Sequence, residues 1–118
     1  MPTKHSLATY YHETPAIAEL MDQFGNHFEA LTAVEKFTLI GILSLWQGFD
    51  TESHLSNKGG MTLPQALKDT AIEIFHGEAT PNVCEFLNFL IRYNADDCDA
   101  MPLMSALINQ ISEGVYQS

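Results

Sequence analysis

Apolar residues recur at helical spacing along this chain, in five successive runs separated by short polar links. Thr14 before Pro15 has the form of an N-cap with proline at the first helical position. Ile17, Leu20, Met21, Phe24, Phe28 and Leu31 then line one side, while Glu19, Asp22, Gln23 and Asn26 fall largely on the other. This pattern predicts an amphipathic helix to about Ala30, with Gly25 as a weak point inside it. Thr32 and Glu35 make a capping box that starts a second helix at once. That helix carries Phe37, Leu39, Ile40, Ile42, Leu43, Leu45 and Trp46, is apolar almost all round, and reads as enclosed by the others, with Gly48 as its stop.

Residues 49–61 read as the longest loop, closing on Gly59-Gly60. Thr62 and Gln65 repeat the box-like start, and Leu63, Ala66, Leu67, Ala71, Ile74 and Phe75 mark a third helix that Gly77 ends. Thr80-Pro81 opens a fourth, with Val83, Phe86, Leu87, Leu90 and Ile91 inward, ending near Asn94. After the acidic link Asp96-Asp97-Cys98-Asp99, Pro102 opens a fifth, with Leu103, Met104, Leu107, Ile108 and Ile111 on its face and Gly114 after it. No run alternates like a strand and no hairpin signal occurs. The expected fold is all-α, a five-helix orthogonal or bundle-like single domain over 14–118 packed round the central apolar helix 33–47. Residues 1–13 read as a partly ordered arm.

Composition narrows the function classes. Fifteen acids against five bases give a net charge of -10. Lys4, Lys36, Lys58, Lys68 and Arg92 are scattered, so no basic stripe exists to hold phosphates, and neither nucleic acid nor an anionic membrane is an expected partner. No apolar stretch approaches the roughly 20 residues that span a bilayer. The N-terminus lacks the apolar core of a secretory signal, which points to a cytoplasmic chain with thiols at Cys84 and Cys98.

The candidate chemistry is thin. Cys84 with His76 as base and Glu78 nearby is the least poor catalytic trio, yet Cys84 falls on the inward side of its helix, where a thiol behaves as a small hydrophobe. Histidines 5, 12, 27, 54 and 76 show no metal-ligand spacing. Asp96, Asp97 and Asp99 lack the central glycine and closing glutamate of a calcium loop, and serve more simply as partners of a helix dipole. The third and fourth helices imitate a helix-turn-helix, but Asn82, Glu85, Asn88 and Arg92 make a poor DNA-reading set. The balance leans away from an enzyme, with no catalytic residue, metal or cofactor assigned.

One region resembles a known family. The pattern of Phe28, Leu31, Ala33, Leu39, Ile40, Leu45 and Gly48, with echoes at Met61, Leu63, Ala66-Leu67-Lys68 and Cys84, is similar to the N-terminal helical domain of the orange carotenoid proteins over roughly residues 15–90. The resemblance implies a helical fold and an apolar ligand. In that family the helix matching 33–47 presents a tryptophan and a tyrosine to the pigment. Here those positions are Gly41 and Ser44, so the contacts do not carry over, and the family's domain is longer.

Two functional expectations follow. The first is a non-catalytic interaction module, self-associating or docking a protein partner, because a small domain of amphipathic helices readily leaves one face uncovered. The second is a binder of an apolar small molecule, carotenoid-like, using Phe37, Gly41, Ser44, Trp46 and Phe49.

Overall fold

The computed structural model describes residues 14–69 and 80–117. Among them run five helices and no strand: α1 (Pro15–Phe24), α2 (Ala33–Leu55), α3 (Leu63–Asp69), α4 (Pro81–Arg92) and α5 (Asp97–Ser112). The all-α single domain expected from the apolar spacing is what forms. Helix α2 packs on α3, α4 and α5, and α1 closes the far side against α4 and α5. The core gathers Ile17, Leu20, Phe24, Phe28, Leu39, Leu43, Trp46, Phe86, Leu90, Leu103 and Leu107, all nearly or wholly withdrawn from solvent. The expectations that fall on 1–13 and on Ala71, Ile74, Phe75, His76, Gly77 and Glu78 lie outside the described residues.

The starts of four helices follow from local chemistry. The hydroxyls of Thr14, Thr32 and Thr80 accept the amides of Ile17, Glu35 and Val83. Thr62 and Gln65 exchange the same reciprocal pair of bonds as Thr32 and Glu35. Each cap satisfies donors that a helix start leaves open.

Three boundaries differ from expectation. Helix α1 ends at Phe24, not near Ala30, because Gly25 adopts φ +98°. A Cβ there would lie 2.5 Å from the Glu29 carboxylate. Phe28 therefore reaches the core from a turn, with its ring 5.4 Å from that of Phe86. Helix α2 runs through Gly48 to Leu55, so the first part of the expected loop is helical. It stops where Asn57 turns left-handed and the amides of Asn57 and Lys58 bond back to His54 and Ser53. Helix α5 starts at Asp97, a turn before Pro102, because Asp96 and Asp99 form their own capping box. Pro102 sits inside that first stretch. At its other end Val115 bonds Gln110 and Gly114 bonds Ile111, the paired closure of a Schellman motif.

Candidate functional site

Helix α2 turns three charged side chains inward beside its core residues. The charged residues between Ala33 and Thr51 are Glu35, Lys36 and Asp50, and all three are buried. Each is held by a distant segment. Glu35 accepts the hydroxyl of Thr80 and the amide of Thr32. Burial pushes its carboxyl up, but these bonds and that from Asn82 outweigh it and hold the group below the ordinary range. The Lys36 ammonium donates to the carbonyl oxygens of His27 and Val115 and to the Gln110 side chain. Burial brings its pKa down to about 8, opposed by the charge of Glu29. Asp50 accepts the amide of Met61 at 2.6 Å.

With its charges turned inward, α2 faces outward with Val34, Phe37, Gly41, Ser44, Leu45 and Gly48. Phe37 is 60% exposed and Val34 73%. The Lys36–Gln110 bond and the Thr32–Gln117 bridge set α5 antiparallel beside α2. From Ala100 to Ser112 that helix has no charged residue, and it exposes Met101 and Ile108. Among the described residues, no charged side chain is exposed between Ala33 and Thr51 of α2 or between Ala100 and Ser112 of α5. A Cβ added at Gly41 or Gly48 would meet nothing within 4 Å. The expectation that α2 is enclosed on all sides is corrected by this face.

The five residues expected to line an apolar pocket do not share one side. Phe37, Gly41 and Ser44 stand together on the outer face. Trp46 points the opposite way, is 2% exposed, and donates its indole N–H to the Met61 carbonyl at 2.8 Å. Phe49 is half-buried on the flank and packs against the core.

A second feature is a cleft of about 490 Å³ where the end of α2 meets the α4–α5 link, lined by Asp50, His54, Asn94, Asp96 and Cys98 among others. His54 lies 3.8 Å from Asp50, one turn along the same helix. The i, i+4 spacing was visible in the chain, but reading Gly48 as a stop placed both residues in a loop. Asp50 is occupied in bracing Met61, and Asp96 in capping α5 through the Cys98 amide. Among the described residues no three acidic, histidine or cysteine side chains converge to hold a metal. Cys84 is half-buried and Cys98 exposed, and neither is in a disulfide. No described helix is long and apolar enough to cross a membrane.

No protein family, curated protein or solved structure matches this chain.

Proposed function

We propose that this chain is a non-catalytic interaction module that self-associates through the outer face of α2 and α5. The observation that carries the reading is how α2 distributes its side chains. Its Glu35, Lys36 and Asp50 side chains are committed inward to hydrogen bonds beside the core residues Leu39, Ile42, Leu43 and Trp46, while Val34, Phe37 and Leu45 meet water. Apolar surface of this kind favours burial, and an uncovered apolar patch marks a contact surface. A cytoplasmic setting belongs to the same proposal and suits two cysteines outside any disulfide.

The alternative is an apolar small molecule, carotenoid-like, laid along the same face over Phe37, Gly41 and Ser44. Light scattering on a size-exclusion peak, with absorbance recorded across the spectrum, separates the two. The wild type is expected at twice the chain mass with protein absorbance alone at concentrations up to about 100 µM, well above the Kd of a micromolar pair. Phe37→Glu is expected at the single-chain mass with unchanged helical circular dichroism. A single-chain mass for the wild type over that range overturns self-association. Visible absorbance on that single-chain peak would favour the ligand.

A further inference from the structure

We infer that the self-associated pair is isologous and antiparallel, with its two-fold axis crossing α2 between Gly41 and Ser44, so that Phe37 of each copy seats over Gly48 of the other. The inference rests on the self-association proposed above and supplies its geometry.

Along the outward side of α2, positions 34, 37, 41, 44, 48 and 51 form one line flanked by Leu45, and their spacings of 3, 4, 3, 4 and 3 read the same in both directions. A two-fold axis at the centre of such a series sets 34 against 51, 37 against 48, and 41 against 44. The sizes then complement one another. Phe37 is the bulkiest side chain on the stripe and stands 60% exposed. Gly48 has no side chain, and the space above it is open to 4 Å. Gly41 opposite Ser44 puts two small residues at the centre, where two helices approach most closely. A parallel mating would instead stack Phe37 on Phe37 and leave Gly41 and Gly48 facing their own copies across unfilled space. Self-complementarity about one axis is what an isologous contact requires.

Charge and area favour a second copy as the occupant. At a net charge of -10 the chain repels its own kind, and two copies meet with least repulsion across a face that has no carboxylate. A basic partner would find nothing there to pair with. Over ordinary side-chain areas, the exposed fractions of Val34, Phe37, Leu45, Met101 and Ile108 leave on the order of 500 Å² of apolar surface on α2 and α5 together. Two such surfaces brought together bury on the order of 1,000 Å², the low end for specific contacts and in keeping with a micromolar pair.

Gly48→Leu, measured by sedimentation equilibrium and thermal unfolding, provides the test. The substitution fills the seat of Phe37 on an exposed position, and leucine favours a helix over glycine. Association is expected to weaken at least about tenfold while the thermal midpoint holds or rises. Exchanging the pair, Phe37→Ala with Gly48→Phe, is expected to recover much of the loss. Added salt is expected to tighten the wild-type pair by screening the repulsion between two acidic copies. If Gly48→Leu pairs like the wild type while Phe37→Glu is a single chain, the face is the interface and the two-fold pairing is overturned. If the exchanged variant folds and does not regain association over Gly48→Leu, the pairing is likewise overturned. A wild type that stays a single chain overturns both this inference and the self-association beneath it.

Discussion

Helix α4 turns Val83, Phe86, Leu87 and Leu90 inward and shows Glu85, Asn88 and Arg92 to the outside. Helix α2 turns Glu35, Lys36 and Asp50 inward along with its core leucines, and shows Val34, Phe37 and Leu45. Both are well-capped helices of the same core, so helix formation does not account for the difference. The outward face of α4 is finished against water, with Arg92 resting 5.0 Å over the Phe89 ring. The outward face of α2 is left in a state that water penalises. The inward charges of α2 act as ties to distant segments, and its outward apolar groups are free to meet another molecule.

The largest expected effect breaks this comparison directly. Phe86 touches Phe24 and Phe28 with ring centroids 5.6 and 5.4 Å away. Phe86→Ala is expected to cost about 4 kcal/mol of fold stability through lost burial and a cavity. Phe37→Ala, the same chemical change on α2, is expected to shift the stability of the dilute single chain by no more than about 0.5 kcal/mol. Urea unfolding at low protein concentration checks both. A large loss at Phe37 would mean that its ring is part of the fold and not a contact group.

Lys36 gives the next effect, and its sign is set by burial. Its folded pKa lies near 8, below the ordinary 10.5. Below pH 8 both states bind the proton, and the folded chain bears the full cost of a buried ammonium. Between pH 8 and 10.5 the folded state has released the proton and the unfolded chain still holds it. Stability from this group therefore rises with pH across that window, by at most about 3 kcal/mol. Urea unfolding at pH 7.5 and 10, compared with Lys36→Met, isolates it, because the variant is expected to lack that rise. Other lysines and tyrosines contribute equally to both proteins.

How much of this could be read from the chain depends on the range of the forces involved. Helix starts are set within four residues, and the threonines at 14, 32, 62 and 80 all cap as their local pattern suggested. Helix ends are less local. Gly48 continues a helix because its neighbours on α2 pack and bond on both sides of it, while Asn57 ends that helix through bonds back to Ser53 and His54. Pro102 suggested a start, yet the Asp96–Asp99 box one turn earlier sets it. The candidate face was half visible. Phe37, Gly41 and Ser44 were singled out together, but a helix apolar nearly all round does not reveal which side is inward. Nothing near them in the chain marks Glu35, Lys36 and Asp50 as buried, because Thr80, Gln110, Val115 and Met61, which satisfy them, lie far along the chain.

The smallest effect separates two glycines that look alike in sequence. Gly25 is required by its backbone, since φ +98° strains any residue with a side chain and a Cβ there would also displace the Glu29 carboxylate. Gly41 sits in regular helix with open space around its Cβ position. Nothing among the described residues needs a glycine there, and glycine in an exposed helix interior is weaker than alanine. Gly41→Ala is therefore expected to raise the stability of the dilute single chain by roughly 0.5–1 kcal/mol, as read by urea unfolding, whereas Gly25→Ala lowers it. A Gly41→Ala variant that is less stable while still a single chain would show that the α2 backbone is already in contact with part of its own chain. A gain in single-chain stability together with weaker pairing would show that Gly41 serves the contact and not the fold.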